Sequence, residues 1–554
     1  MAIDTNSSPQ TIASDSAGHP SLRVHARDNV RVALRDLAAG TEIEDGNEII
    51  RLVEPIRHKH KFALCDLKTG DTVTMYGVTV GRATQPIAAG AAIRTDNLAH
   101  STDSDSTGPG ASEAHWQMPD VSAFSTATFD GFHRPDGQVG TANIWLVVPL
   151  VFCENRNIEV LRQSVAEALG DDPYRDYKRM AKAMLHGVDD DNPSPLHVSP
   201  FPNVDGVRFL THHQGCGTTD DDALALCRLL AGYINHPNVA GATVLSLGCQ
   251  KAQIAMLKQA MKERDPEGLR PVHYIEQQAT ASEEALIREA LTTIFDGLRE
   301  ANRVERQPAP LSKLRIGVEC GGSDGFSGLS ANPVVGATID RLVALGGSGI
   351  LSEFPELCGV EHELRARCVD DATAQRFTTL MEAYQRHAAA VGADFSMNPS
   401  PGNIRDGLIT DAMKSAGAAR KGGDSPVVEV LDYTEPATRP GLSLLCTPGS
   451  DVESTTALVG SGANLVIFTT GLGTPTGNPV VPVLKVSSNS DLARRMADII
   501  DFDTGAVIRG ETSIDELADQ LLQLCLDTAS ARYAPRAVEL AQYDFIPWKR
   551  GVSL

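Results

Sequence analysis

From about Val121 onward, apolar segments of strand length alternate with amphipathic helical segments. This alternation limits the fold more than any other feature, because strands joined through helices form a parallel sheet that the helices cover. Eight segments are predicted as strands: 144–149, 207–210, 242–247, 272–275, 314–318, 348–351, 427–431 and 465–469. We therefore predict an α/β fold whose large region has one or more mostly parallel sheets flanked by helices.

The clearest helix follows the second predicted strand. Thr218 or Thr219 is its predicted N-cap, and residues 220–222 place three aspartates in its first turn, where carboxylates stabilise the helix dipole. Apolar residues then recur at helical spacing and form one face of the helix. They are Ala223, Leu226, Cys227 and Leu230.

The segments on either side of residue 100 predict the domain organisation. Residues 1–20 are polar, with no basic start or apolar core of a secretory signal, and are expected to be a disordered leader. Residues 21–98 contain short segments separated by turns and predict a small β-rich domain. Residues 99–120 are rich in Ser, Thr, Asp and Gly and predict a linker. The rest, 121–554, is one large region, with a division into about 121–305 and 306–554 left open.

The charge balance excludes several classes of partner. Lys plus Arg number 49 against 71 for Asp plus Glu, which gives a formal charge of −22. Nucleic-acid-binding proteins and proteins that dock on anionic lipid usually carry a basic surface, so neither class is expected. No apolar run of membrane-spanning length occurs. We expect a cytoplasmic protein with reduced cysteines and no nucleic-acid or membrane partner, and a homo-oligomer stays open.

Cysteines follow several of the predicted strands. Cys153, Cys216, Cys249 and Cys320 each lie in a loop at the carboxyl end of a strand, where parallel sheets bind ligands. A single buried cysteine is usually structural. Four on one edge predict that at least one thiol is functional.

The loop from His212 to Cys216 supplies an imidazole and a thiol at a helix N-terminus. This pattern favours metal ligation or binding of a carboxylate substrate. The alternative is a hydrogen-bonded turn before a capped helix. Because the chain has no Cys-x-x-Cys pair, any metal must gather ligands from separate loops. The glycine-rich segments 321–325 and 471–475 lack the spacing of a nucleotide-binding loop. No Gly-x-Ser-x-Gly elbow in a strained strand-to-helix context is expected, so a nucleophilic serine is not predicted.

Together these motifs resemble the altronate and galactarate dehydratase family, which carries an N-terminal SAF domain. Residues 21–98 resemble that SAF domain, and the rest resembles the main region nearly to the C-terminus. The resemblance is carried by segments 25–30, 60–64, 134–143, 212–217, 247–250, 319–324, 398–403, 468–475 and 500–505. Ala142 and residues 404–407 depart from the family pattern and bear on the substrate. Residues 473–479 are more similar to altronate dehydratases than to galactarate dehydratases.

The resemblance implies loss of water from a sugar acid, converting D-altronate to 2-dehydro-3-deoxy-D-gluconate. A base would take the C2 proton, a divalent metal would stabilise the developing negative charge, and an acid would protonate the departing C3 hydroxyl. The implied metal is Fe²⁺, with Mn²⁺ as a substitute, and thiolate and imidazole ligands suit Fe²⁺. Alternatives are a galactarate dehydratase, a lyase of sulfonated hydroxy acids and a non-catalytic sugar-acid-binding protein.

We assign expected roles to individual residues on this basis. The expected metal ligands are His25 or His60 of the SAF domain, with His212, Cys216 and Cys320. The expected substrate-binding residues are Arg134, Arg156, Lys251 and Asn143. For proton transfer we expect His212 or His213, with Glu353 as the alternative. An iron–sulfur cluster held by three cysteines, for example Cys216, Cys249 and Cys320, stays an alternative to mononuclear iron.

Overall fold

A computed structural model describes residues 19–102, 116–170, 172–187 and 199–554. Most of the predicted leader and of the predicted linker lies outside these residues. The predicted fold class is confirmed, because a small β-rich unit precedes a large region with parallel sheets and helices. The described part of the chain contains no helix with the length and apolar composition of a membrane span.

The N-terminal unit consists of short antiparallel strands. They pair in the orders β1-β2-β5, β3-β4 and β6-β7-β8. The strands are β1 (Ser21–Leu22), β2 (Val30–Ala33), β3 (Glu42–Asp45), β4 (Glu48–Arg51), β5 (Lys61–Ala63), β6 (Thr72–Met75), β7 (Val78–Ala83) and β8 (Leu98–Ala99). Alternating residues of these strands, such as Val30 and Val32, point into the unit's core.

The next part of the chain forms a four-stranded parallel sheet in the order β12-β11-β13-β14. Its central strand β11 is buried along its whole length, as a strand covered on both faces requires. The elements of this part are β9 (Thr128–His133), β10 (Val139–Gly140), β11 (Ile144–Pro149), α1 (Asn155–Leu169), α2 (Arg175–His186), β12 (Gly206–Phe209), α3 (Asp220–Ile234), β13 (Val239–Ser246), α4 (Ile254–Arg264), β14 (Val272–Glu276) and α5 (Glu283–Ala301).

The C-terminal part forms a seven-stranded parallel sheet in the order β18-β19-β17-β16-β20-β21-β22. A short strand, β15, pairs with β9 and joins the two parts. The elements are β15 (Gln307–Pro310), β16 (Arg315–Cys320), α6 (Ala331–Ala344), β17 (Ser348–Leu351), α7 (Glu361–Ala366), α8 (Asp371–Ala390), α9 (Pro401–Arg405), α10 (Asp411–Ala418), β18 (Val427–Leu431), β19 (Gly441–Leu445), α11 (Asp451–Gly460), β20 (Leu465–Thr470), β21 (Val483–Ser487), α12 (Ser490–Arg495), β22 (Phe502–Asp503), α13 (Gly505–Ile508), α14 (Ile514–Ala529) and α15 (Arg536–Glu539).

All eight predicted strands are present, with ends shifted by at most a few residues. The prediction missed β19 and β21, two interior strands of the larger sheet. The N-cap of α3 is Thr219, whose side chain accepts a hydrogen bond from the Asp222 N–H. The helices α3 and α11 pack against each other between the two parallel sheets and share one apolar core.

Candidate active site

The carboxyl edge of the seven-stranded sheet carries a buried group of charged side chains. Glu319 and Cys320 end β16, and Glu353 follows β17 by two residues. Glu356 lies one turn further, and all four side chains are buried. Parallel sheets bind ligands at this edge, so these residues occupy the position expected for an active site.

Two lysines neutralise the carboxylates. The ammonium group of Lys421 donates to Glu353 Oε2, which also accepts the Cys320 N–H at 3.1 Å. The ammonium group of Lys414 lies 2.6 Å from Glu356 Oε1 and 2.7 Å from Asn398 Oδ1. Burial alone raises the pKa of Glu356, but these two lysines outweigh it and hold the pKa below its usual value. The buried carboxylates of Glu353 and Glu356 therefore each have a lysine partner.

Glu319 lies beside Glu353 and stays protonated. Burial, followed by the nearby charge of Glu353, raises the pKa of Glu319 well above its usual value. Oε2 of Glu319 accepts hydrogen bonds from Ser352 and Ser454. The Oε1 atom of each glutamate has no hydrogen-bond partner among the described residues, and the two carboxyl groups interact electrostatically. Glu319 is thus the protonated member, which removes one negative charge from the cluster.

Asp451 and Lys485 complete the cluster. Burial lowers the pKa of Lys485 to about 7, and its amine has no hydrogen-bond partner among the described residues. The amine lies 3.5 Å from the centre of the Phe468 ring. Burial, then the charges of Glu353 and Glu356, raises the pKa of Asp451 to about 7. Two neighbouring groups that titrate near neutral pH suit proton transfer in both directions.

A glycine makes room for Asp451. A Cβ atom on Gly321 would lie 2.1 Å from Asp451 Oδ2 and 2.5 Å from the Phe468 ring. No side chain fits at position 321 while Asp451 keeps its place. Gly321 therefore allows the carboxyl group of Asp451 to lie close to the end of β16.

The N-terminal β unit docks beside this edge through residues 59–61. Lys59 pairs with the buried Asp324 at 2.8 Å, and Lys61 donates to the Gly407 carbonyl at 2.6 Å. The ring of His60 contacts the Arg405 carbonyl, and burial lowers its pKa. The unit therefore contacts the loop that follows Cys320.

Three family models match the chain in sequence order. The altronate/galactarate dehydratase SAF domain matches residues 19–101. The second domain of D-galactarate dehydratase/altronate hydrolase matches 131–302, and the C-terminal domain of D-galactarate/altronate dehydratase matches 311–553. The chain belongs to this family. Membership makes it a hydro-lyase that acts on a sugar acid.

Curated relatives agree over nearly the whole length. An altronate dehydratase of Escherichia coli (strain K12) is 33% identical over 515 residues, covering 92% of this chain and 95% of the relative. An altronate dehydratase of Bacillus subtilis (strain 168) is 32% identical over 516 residues, with coverage of 92% and 95%. A galactarate dehydratase (L-threo-forming) of E. coli (strain K12) is 31% identical over 517 residues, with coverage of 92% and 93%.

Two of the residues expected in the site of this family member lie in the charged cluster, Glu353 and Cys320. The structure does not support His212 as a base or metal ligand, because Nε2 donates to the Pro149 carbonyl and Nδ1 accepts the Gln214 N–H. Both ring nitrogens are thus used. Burial lowers the pKa of His212 to about 4. Its loop is therefore the hydrogen-bonded turn that was the alternative prediction, and the neighbouring His213 is exposed.

The expected substrate clamp is also not assembled. Buried Arg134 donates to the Pro237 carbonyl and to Asn143 Oδ1, so both residues hold the fold together. Arg156 pairs with Glu283. Lys251 pairs with Asp220 at 2.7 Å on the surface. Each predicted cationic side chain either binds a partner that is distant in the sequence or is exposed to water. The sequence pattern does not reveal these partners.

The expected metal set is divided between sites. Two groups of three donor atoms lie within 4.8 Å of one another in the described part of the chain: Cys320 with Glu353 and Glu356, and His100 with Cys358 and Asp411. Of the predicted ligands, only Cys320 belongs to either group. His25, His60 and Cys216 are in neither, and Cys216 is exposed at the edge of the other sheet. The described residues therefore do not bring these predicted ligands into one donor group, and their metal role stays a prediction.

Sequence reasoning assigned no role to six members of the cluster. They are Glu319, Glu356, Lys414, Lys421, Asp451 and Lys485. One signal was available, because Lys485 is a charged residue with apolar neighbours on both sides in the strand Val483–Ser487. A charge in a strand buried on both faces is rare without a function or a partner.

Proposed function

We propose that this hydro-lyase dehydrates D-altronate to 2-dehydro-3-deoxy-D-gluconate. One observation supports the reaction above others: the amine of Lys485, which has no hydrogen-bond partner in the described part of the chain, lies near Asp451 inside the charged cluster. An amine without a hydrogen bond, in a site that holds it partly neutral, is suited to accept a proton from carbon. The names of two relatives and the segment 473–479 favour altronate as the substrate.

In this proposal the neutral amine of Lys485 takes the C2 proton. The electron pair of the broken C–H bond moves into the carboxylate as an enediolate, then forms the C2=C3 double bond as the C3 hydroxyl leaves. Protonated Asp451 gives its proton to that hydroxyl, which leaves as water. The enol product becomes the 2-keto acid by tautomerisation. Lys485 starts neutral and ends as the ammonium ion, Asp451 starts protonated and ends as the carboxylate, and proton exchange with solvent restores both.

The arrangement of cations supports altronate over galactarate. Galactarate has a second carboxylate and needs a further positive group in the pocket. In the charged cluster, Lys414 already pairs with Glu356, and Lys421 already pairs with Glu353. Neither lysine is free to hold a second carboxylate.

The Fe²⁺ implied by the family resemblance also stays a proposal, with Mn²⁺ as its substitute. The group of Cys320, Glu353 and Glu356 fits a cation poorly, since lysines occupy both carboxylates and the Cys320 thiol donates to Glu356. The second group fits better. His100 Nδ1 and both carboxylate oxygens of buried Asp411 have no hydrogen-bond partner among the described residues, and Cys358 adds a thiol. An imidazole, a thiolate and a carboxylate form a ligand set suited to Fe²⁺.

We propose that His100, Cys358 and Asp411 hold this ion. When bound, it would supply positive charge beside the substrate carboxylate. Asp411 and Lys414 are three residues apart on α10, so the group adjoins the charged cluster. Asp411→Asn is expected to lower Fe²⁺ content, measured by metal analysis of anaerobically purified protein.

The test of the reaction is an anaerobic assay with D-altronate, galactarate and epimeric aldonates, following formation of the 2-keto-3-deoxy acid. We expect turnover of altronate with Fe²⁺, and its loss with a chelator. Lys485→Met is compared with Lys313→Met, an exposed lysine remote from the site. Turnover of galactarate alone would contradict the substrate. No turnover of any sugar acid by metal-loaded protein would contradict the reaction and favour a sulfonate lyase or a binding protein.

Two coarser expectations belong to the same proposal. All ten cysteines are free, which supports function in the reducing cytoplasm.

Residues Tyr177, Met184 and Leu185 of α2 expose apolar side chains, which supports a homo-oligomer in which a second copy covers this helix. Light scattering on the purified enzyme measures the oligomeric state.

A further inference from the structure

Three cysteines lie together at the carboxyl edge of the four-stranded sheet. Cys153 follows β11, Cys216 follows β12 and Cys249 follows β13, and these strands are neighbours in the sheet. All three thiols are exposed, whereas six of the other seven cysteines are buried. The charged cluster described above contains none of them.

Hydrogen bonds join the three loops. The Phe152 N–H donates to the Gln214 carbonyl at 3.1 Å, which ties the Cys153 loop to the Cys216 loop. The N–H groups of Lys251 and Ala252 donate to the Gly215 carbonyl at 2.9 and 3.1 Å, which adds the Cys249 loop. A Cβ on Gly215 would lie 2.1 Å from the Leu150 carbonyl oxygen, so glycine allows this contact. The three cysteines are therefore held in a fixed arrangement.

Their thiols are near one another without touching. Their loops follow neighbouring strands, and partial burial, followed by the charges of Cys216 and Cys249, raises the pKa of Cys153. Yet in the described chain they do not form a group whose donor atoms all lie within 4.8 Å of one another. One metal ion needs donors that close. A cluster of several irons does not, because each thiolate binds a different iron.

We propose that Cys153, Cys216 and Cys249 bind three irons of a [4Fe–4S] cluster and leave the fourth iron open to an oxygen of the substrate. This inference rests on the proposed dehydratase function and deepens it, by giving the hydroxy acid a second iron centre distinct from His100, Cys358 and Asp411. Cys320, expected in such a cluster from the sequence, is buried against Glu356 in the other sheet. Cys153 takes its place.

The position of the cluster relative to Asp451 agrees with this role. Helix α3 begins just after Cys216, and α11 begins at Asp451. The C-terminal ends of these two helices meet, because a Cβ on Gly232 would lie 2.2 Å from the Gly460 carbonyl oxygen. Since the helices pack against each other, their N-terminal ends lie on the same side of the molecule. The three cysteines and the charged cluster therefore open to the same side.

The test uses the full chain, purified anaerobically and reconstituted with ferrous and ferric salts and sulfide. We expect about four acid-labile sulfides per chain, broad visible absorption, and an electron paramagnetic resonance signal after reduction. Addition of D-altronate should change that signal if the fourth iron is open. Each of Cys153→Ser, Cys216→Ser and Cys249→Ser should reduce sulfide to less than one per chain. Cys65→Ser, an exposed thiol of the N-terminal unit, and Cys320→Ser should keep it.

Several results would overturn the inference. One is reconstituted wild-type protein that contains no acid-labile sulfide. Another is a cluster that persists in all three serine variants. The third is a Cys65→Ser variant that loses as much sulfide as these variants while its circular dichroism stays native. An unchanged signal with altronate would overturn the open iron. Altronate turnover without any cluster would refute this inference and leave the proposed function intact. An intact cluster with no turnover of any sugar acid would refute the proposed function instead.

Discussion

The ammonium group of Lys421 binds the carboxylate of Glu353, and both side chains are buried from solvent. Glu353 has a left-handed backbone conformation, with φ of 66°, which is costly for a residue with a side chain. The ion pair and the Cys320 N–H hold the carboxylate in this conformation. A strained residue fixed by a buried pair marks the functional edge of the sheet.

Removal of the lysine should destabilise the protein strongly. Lys421→Met leaves the charge of Glu353 buried without a partner, so we expect the free energy of unfolding to fall by about 3–5 kcal/mol. Lys178→Met removes a more exposed partner of Asp172 and should cost at most about 1 kcal/mol. Urea unfolding at neutral pH measures both. The double variant with Glu353→Gln should regain part of the loss, and no recovery would contradict the pairing.

Lys485 should control the rise of activity with pH. Its neutral form is the base and its pKa is about 7, so kcat/KM should increase as pH rises through this value. The acid form of Asp451 is lost over the same range, which should limit the increase and give a narrow optimum near pH 7. Lys485→Met and Lys485→Arg should both lower kcat by about 10²-fold or more, since neither can accept a proton. Full activity of Lys485→Arg would refute the base assignment.

Gly321→Ala tests the position of Asp451. The added methyl group would overlap Asp451 Oδ2 and the Phe468 ring, so the carboxyl group must move. We expect kcat to fall about 10²-fold, as a small misplacement of a catalytic group can cause. The matched variant is Gly402→Ala, where the nearest atom is 3.6 Å from the added carbon. Steady-state assays with altronate measure both, and equal activities would contradict the close approach.

The sequence predicts the sheets better than the site. Strands covered on both faces are mostly apolar runs, so β11, β13 and β20 stand out. β21 does not, because Lys485 interrupts its apolar pattern.

The ion pairs join residues far apart in the chain. Lys421 and Glu353 are 68 positions apart, and Lys414 and Glu356 are 58 apart. No local pattern specifies such contacts. The same limit hid the structural role of His212, whose partner is the Pro149 carbonyl.

The buried contact between His212 and the Pro149 carbonyl should make the free energy of unfolding depend on pH. The pKa of His212 is about 4 in the folded protein, below the reference value of about 6.5, because burial disfavours the charged ring. The folded state therefore binds fewer protons than the unfolded state between these values. The contribution is fully present above about pH 6.5 and is lost as pH falls toward 4, by about 3 kcal/mol in total. His236, with a pKa of about 3 from burial, acts in the same direction.

His212→Gln isolates this effect. Glutamine keeps a donor near the Pro149 carbonyl but does not titrate, so the fall in unfolding free energy between neutral pH and about pH 4.5 should be smaller than in the wild type. The matched variant is His213→Gln, an exposed neighbour on the same loop, and its pH dependence should equal that of the wild type. Urea unfolding across this range provides the comparison. If His212→Gln and the wild type lose stability equally on acidification, His212 is not the buried neutral group that the structure describes.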